Sequence, residues 1–584
     1  MNGLWDLSYL YKGFDDEAFK KDLADLPAEA RALSALIADA AIPETERLEQ
    51  AVEASERLAR KADALSNFIQ CTLAVDATNV AAGAAMDKLM AAWTELSMAS
   101  SAMTRLAARI PDPEAAIAGS EALRKVAFAL REMRENARHL MDEAVEPWIL
   151  AMQLSGGNAF SQLRDKLDST LLVEFRGEKL PLSAVRGKAY DPDAAVRKDA
   201  YEAELAAYPQ IELPMSYCLN SIKMEARTLA KARGYGSVLD MTLADSRMDR
   251  ETLTAMWEAV REALPDFRRY LRAKGKLLGH PDGLPFYDLF APVGESAKTY
   301  TLEEARALLL REMGKFSPDL SAFMDHAFEN AWIDAYPRPG KTGGAFCSSV
   351  HFADRSLVMS NFQGSFSDVS TLAHELGHAW HNRCLAGLPY LLIDTPMPLA
   401  ETASIFNETL LSHMVLQSCP PKERLGLLES GIMEATQTVV DIYSRFLFES
   451  EVVDTRADHA MPAEELKAAM LRAQEESYGD GLEKDARHPY MWACKSHYYN
   501  SGYNFYNFPY CFGLLFGKGV FARWLKEGAA FVPAYCRMLR MCGSAKVADV
   551  ARSVGLDVRD ISFWRESLAV VRRDIDAFCA LAGA

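Results

Sequence analysis

No two of the ten cysteines in this 584-residue chain form a C-x-x-C pair. Their scatter suits free thiols in a reducing compartment better than a disulfide framework. No uninterrupted apolar run is long enough to cross a bilayer. The first ten residues, Met1 to Leu10, lack the basic start and apolar centre of a signal peptide. A cytoplasmic protein with no membrane partner is the expectation. No basic patch relieves the formal net charge of −17, so the chain repels phosphate backbones and nucleic acid is not an expected partner. What is present is ordinary for a soluble globular protein, with 49% hydrophobic and 25% charged residues. The length exceeds what one core usually organises, so two or more lobes are expected.

The first part of the chain repeats one theme. Apolar residues recur at helical spacing through residues 46–71, among them Leu48, Val52, Leu58, Leu65 and Phe68. Segments 81–108 and 122–152 are rich in the strong helix formers Ala, Leu, Met and Glu. Between Leu171 and Leu182 the pattern changes to a small hairpin, and Asp191-Pro-Asp193 then opens a helix reaching Tyr208. A boundary is placed here, giving an N-terminal helical domain over residues 1–185 and a second domain over 186–584. Helical patterning returns over 250–278 and 302–330. A Pro/Gly-rich loop from Tyr336 leads into two expected strands, 345–352 and 357–362. The chain reads as mostly α, with a small sheet just ahead of its most informative motif.

That motif is His374-Glu375-Leu376-Gly377-His378, an H-E-x-x-H sequence. On a helix, residues four apart differ by only about 40° in direction, so both imidazoles can face one ion. Zinc accepts such ligands and keeps a position for water when only three protein groups bind. Glu375 stands beside the first ligand, where it can take a proton from that water, whose pKa the metal lowers toward ~7. With eleven histidines in the chain, a chance occurrence of the motif has a probability of roughly 2%. The flanking residues lower it further. Ser367 or Asp368 offers an N-cap, and Val369, Leu372, Ala373, Leu376 and Ala379 form an apolar face.

The third ligand separates the zincin classes. A metzincin needs glycine at position 381 and histidine at 384, whereas this chain has His381 and Cys384. Downstream, Glu401 and Glu408 stand seven residues apart, about two helical turns, and so share a face. Glu401 is the natural third ligand to one zinc ion per chain. Glu408 is placed to accept the other ring N–H of a ligand histidine. His381 is assigned to packing or to supporting a ligand from behind, because three ligands from one helix strain the geometry.

Asn361-Phe-x-Gly364, the extended motif from Asp368 to His381, and Glu401-x-x-Ser404-x-x-x-Glu408 together resemble the M3 metallopeptidases, on the oligoendopeptidase F branch. Gly344-Ala-Phe-Cys347 and the tyrosine-rich segment from Tyr503 to Gly513 add to the resemblance. It implies a two-lobed, mostly helical zincin-like fold with a deep central channel that admits short unstructured oligopeptides. It implies that Gly344, Ala345 and Phe346 present backbone groups to an extended substrate. It also implies that His497, Tyr503 and Tyr510 stabilise the oxyanion, with Tyr506 as the alternative to Tyr503. Two rival readings are a zinc hydrolase of a non-peptide amide or ester, and a catalytically inactive helical binding protein.

Overall fold

Three long helices open the chain: α1 (Glu17–Ala38), α2 (Glu44–Val75) and α3 (Val80–Arg109). The computed structural model describes residues 3–294 and 298–583. Asp16 and Asn79 cap α1 and α3, their side chains accepting from the N–H groups of Ala18 and Ala82. Each helix turns an apolar stripe inward, with Leu26, Leu65 and Leu89 fully buried, into one core that runs from Tyr11 to Leu130. A second and larger core begins at Leu171 and ends at Cys579.

Between the cores, the helix expected over 122–152 is broken into Glu121–Lys125, Ala127–Asn136 and Glu146–Ser155. Val126 leaves helical geometry at φ −118°, ψ 21°, and Pro147 is tolerated only in the first turn of the last piece. Residues 302–330 likewise form two helices, Leu302–Gly314 and Pro318–Glu329. Ser317 caps the second by accepting from the Leu320 N–H, and Pro318 occupies its first turn.

The expected hairpin is formed by β1 (Leu172–Phe175) and β2 (Glu178–Pro181). A second sheet has the order β3-β5-β4, built from β3 (Ile333–Asp334), β4 (Phe346–Val350) and β5 (Arg355–Met359). β3 runs parallel to β5, and β4 is antiparallel to it with Phe346 opposite Met359. β4 is therefore an edge strand. It ends earlier than expected because His351–Ala353 curl into a 3₁₀ turn closed by Asp354 in the left-handed region, φ 49°.

Two side chains hold the loop that feeds β4. Buried Lys341 donates to Asp334 Oδ1 and to the Ser360 carbonyl, both at 2.6 Å. Asn361 Nδ2 donates to the carbonyls of Thr342 and Gly344 at 2.9 and 2.8 Å. The N-terminal core leans on the same sheet: Asn67 of α2 donates to the Ser349 carbonyl at 2.9 Å and accepts from Ser348 Oγ at 2.7 Å. A cavity of about 710 Å³ lies between α2, α3 and this edge. Among the described residues no helix is long and apolar enough to cross a membrane. All ten cysteines are free.

Candidate metal centre

The motif helix spans Phe366–Leu385 and starts two or three residues earlier than an N-cap at Ser367 or Asp368 would place it. Ser365 is its N-cap, accepting from the Asp368 N–H at 3.1 Å while Asp368 Oδ2 accepts from the Ser365 N–H at 2.9 Å. This reciprocal pair is a capping box, and it assigns Asp368 to the third helical position rather than the cap. Val369, Leu372, Ala373, Leu376 and Ala379 are fully buried, which fixes the helix roll and leaves His374 and His378 half-buried.

Gly377 decides how close the next helix comes. A Cβ there would lie 2.6 Å from Ser404 Cα, so only glycine lets Thr402–Ser418 cross at this point. Glu401 stands at the junction between the short helix Met397–Ala400 and that helix, one turn before the crossing. Gly513, on the helix Phe508–Glu527, permits an equally close approach, since its Cβ would lie 2.9 Å from Glu401 Cβ. Glu401 is thus enclosed by two helices that small residues have brought inward.

His374 Nε2, His378 Nε2 and Glu401 Oε2 form a nearly equilateral triangle with sides of 3.1, 3.2 and 3.2 Å. A tetrahedral ion with bonds of about 2.0–2.1 Å separates its ligand atoms by about 3.3–3.4 Å, so the triangle fits one. The charges agree. Burial opposes a charged His374, but its contacts with Glu401 and Glu408 prevail and raise its pKa to about 11. Burial likewise opposes ionised Glu401, yet the two histidines hold its carboxyl far below the usual range. The three donor atoms thus stand close enough together to hold one cation. Ser404 Oγ donates to Glu401 Oε2 at 2.8 Å, and His374 Nδ1 lies 3.4 Å from Glu408 Oε1, which can accept its N–H.

Glu375 is 6% exposed, and its carboxylate makes no hydrogen bond or ion pair with any described residue. Burial raises its pKa, against the pull of His374 and His378. The same group reaches Cys347 on β4, whose thiol is pushed up by burial first and by the charge of Glu375 second. The edge strand and the unpaired carboxylate are therefore neighbours. His381 points away from the triangle, with Nε2 3.1 Å from the Leu539 carbonyl. Gly344 and Ala345 lie just before β4, and Phe346 packs its ring against Trp5 at 6.1 Å, leaving backbone groups as what this stretch can offer.

The tyrosine-rich segment forms one aromatic cluster. The His497 ring lies 5.3 Å from Tyr506 and 6.4 Å from Tyr510, and Tyr506 is 6.0 Å from Tyr510. Burial raises the Tyr510 phenol, and the charge of Glu401 adds to it, which ties this cluster to the metal triangle. Burial lowers His497 to about 4, helped by Arg445 and Lys495, so its ring is neutral at pH 7. His497 Nδ1 meets no partner among the described residues. Tyr503 joins the cluster through its ring, 5.6 Å from Tyr506, but its hydroxyl lies 2.7 Å from Ser246 Oγ.

Three contributors carry no sequence signal that motif reading would catch. Asn407 reaches from the Glu401 helix to donate to the Ala373 carbonyl at 3.2 Å. Glu434 is raised to about 7, by loss of hydration among crowded neighbours and by the charge of Glu408. Arg445 donates to Asn507 Oδ1 at 2.9 Å, just before the helix that carries Tyr510.

In this mostly helical chain an H-E-x-x-H helix is crossed by a glutamate-bearing one, which brings His374, His378 and Glu401 together as a group that could hold a metal ion. The chain belongs to peptidase family M3, whose description residues 188–570 match. It is 26% identical over 368 residues to Oligopeptidase PepF of Bacillus subtilis, covering 62% of this chain and 54% of that one. It is 27% identical over 371 residues to an Oligoendopeptidase F homolog of Lactococcus lactis, covering 63% and 61%. The matches thus span less than two thirds of these curated relatives. Among solved structures, a Chlamydophila abortus protein superposes with a TM-score of 0.85 at 21% identity, over 99% of this chain and 98% of that one. Oligoendopeptidase-F from Enterococcus faecium gives 0.72 at 19% identity, over 97% and 99%. At such identities the likeness is one of fold.

Proposed function

We propose that this chain is a zinc-dependent endopeptidase of short, unstructured oligopeptides. The observation that carries the reading is the triangle of His374, His378 and Glu401 beside a buried Glu375 that has no partner of its own. Two imidazoles and one carboxylate are a zinc donor set, and one ion per chain fills it. The substrate class is taken from the relatives, which carry the names oligopeptidase and oligoendopeptidase.

When bound there, zinc supplies Lewis acidity that acidifies water and polarises a carbonyl. The remaining work falls to the chain. An extended peptide pairs with the outer edge of β4, ahead of the part that Asn67 holds, through backbone groups near Gly344, Ala345 and Phe346. Glu375 accepts the proton of the attacking water, a role suited to a carboxylate that gives its lone pairs to nothing else. It then passes that proton to the leaving amine. Tyr510 and neutral His497 donate hydrogen bonds to the developing oxyanion. Tyr503 would have to exchange Ser246 for the oxyanion, and Tyr506, which stands between His497 and Tyr510, is the alternative.

Mass spectrometry of products from peptides of graded length, with and without a chelator, tests the reading alongside zinc analysis. One zinc per chain and chelator-sensitive internal cleavage are expected. Substoichiometric zinc after mild purification, with no chelator-sensitive cleavage, would remove it.

A further inference from the structure

Arg186, Arg197, Arg445 and Lys495 gather beside the His497 segment, and only three of these four cations find a carboxylate. Arg186 is paired with Glu204, Arg197 with Asp288 at 2.7 Å, and Arg445 with Asp441 at 2.8 Å. Lys495 Nζ makes no hydrogen bond or ion pair with any described residue, and Asp441 acts on it only through its charge. Its side chain instead lines a cavity of about 290 Å³, together with Arg186, Tyr190, Tyr201, Tyr287 and Phe290. Burial, and then the positive charge of Arg445, weaken its hold on its proton, and Asp441 offsets this only in part.

An ammonium in a partly dehydrated pocket without a counter-charge is unfavourable, and an anion entering the pocket removes the penalty. One positive charge is left over, which suits a monoanion better than a phosphate. The aromatic walls suit an apolar group attached to it, and pockets that combine apolar walls with one or two convergent charges are typical small-ligand sites. The cavity is also linked to the aromatic cluster. Lys495 is two residues from His497, and Arg445 donates to Asn507, whose carbonyl accepts the Tyr510 N–H at 3.1 Å.

We propose that this cavity binds the carboxylate of an apolar or aromatic residue, with Lys495 as its ion-pairing partner. Two sources offer that chemistry: the C-terminal residue of a bound peptide, or a free amino-acid-like carboxylate. The first source rests on the peptidase reading, while the binding itself does not.

Calorimetry of the full chain with N-acetyl-phenylalanine and its carboxamide tests the binding. The acid is expected to bind about 10- to 100-fold more tightly than the amide, the range of one charge-assisted hydrogen bond. Lys495→Met should erase that difference and Lys495→Arg should keep most of it. Equal binding of acid and amide, no binding of either, or undiminished binding of the acid to Lys495→Met would each overturn the proposal. A second arm compares peptides ending in a free acid or an amide. A lower KM for the acid than for the amide that Lys495→Met abolishes, while Lys495→Arg keeps it, identifies the peptide C-terminus as the source. Calorimetric discrimination without a peptide preference identifies the free carboxylate. Because the first arm needs no turnover, loss of the peptidase reading leaves it interpretable.

Discussion

Ser404 Oγ donates to Glu401 Oε2 at 2.8 Å, the same oxygen that stands 3.2 Å from both histidines. The hydroxyl fixes the carboxylate rotamer on the side of the triangle. Ser404→Ala should therefore weaken zinc affinity about 10- to 100-fold, the usual cost of losing a group that orients a ligand. Titration against a competing chelator measures it, and unchanged affinity would show that Glu401 is held by packing alone.

Glu375→Gln removes the proton acceptor while keeping shape. Zinc content should be unchanged and kcat should fall about 10²- to 10⁴-fold. Turnover within a few fold of the unaltered chain would assign the base elsewhere.

Gly377→Ala places a methyl group 2.6 Å from backbone at Ser404, where no side-chain rotation relieves the clash. The two helices must separate, so a loss of about 1–3 kcal/mol in stability is expected, with weaker metal binding. Denaturant unfolding reads the first and chelator competition the second. Stability equal to the parent would mean the helix crossing is looser than it is drawn.

His381 gives the stability a pH signature. It is 4% exposed, and burial followed by the neighbouring His378 lowers its pKa to about 4. The unfolded chain, with an ordinary value near 6.5, binds this proton first, so acid favours unfolding. Stability contributed by neutral His381 is complete above pH 6.5 and declines as pH falls toward 4. The decline amounts to at most about 3 kcal/mol over that window. His381→Gln should flatten it, as measured by urea unfolding at pH 7 and pH 5.

Tyr510→Phe should lower kcat about 10²- to 10³-fold with little change in KM, as expected for a donor used mainly in the transition state. His497 titrates near 4, so the acid limb of kcat/KM should not carry its signature between pH 6 and 7. A limb at that pH abolished by His497→Gln would contradict the neutral assignment.

Local chemistry was what the sequence made readable. His374, Glu375 and His378 are four-residue neighbours, and the apolar face that sets their direction lies in the same twenty residues. Glu401 could be reached too, because an acid pair seven residues apart keeps one face across the junction at Thr402. Distant partners could not be read. Tyr503 meets Ser246 across 257 positions, and nothing local announces that pairing. β3 contributes only Ile333 and Asp334, too short a run for any alternating pattern to register. The breaks at Val126 and Pro147 were hidden by strong helix formers on both sides, since composition averages over the residue that interrupts it.

Asn67 gives the edge strand a neighbour from outside the stretch that matches the family. Residues 188–570 contain the proposed metal ligands, the proposed base and the three-stranded sheet, yet the Ser349 carbonyl and the Ser348 hydroxyl depend on a residue at position 67. Cutting the chain before residue 188 would strip those bonds from β4 and lay bare Val350 and Leu357, which Cys71 of α2 and the residues near Trp5 now cover. The piece that carries every recognisable motif is therefore not the piece that can be expressed alone, and its apparent completeness in sequence is a poor guide to where a shortened version should begin.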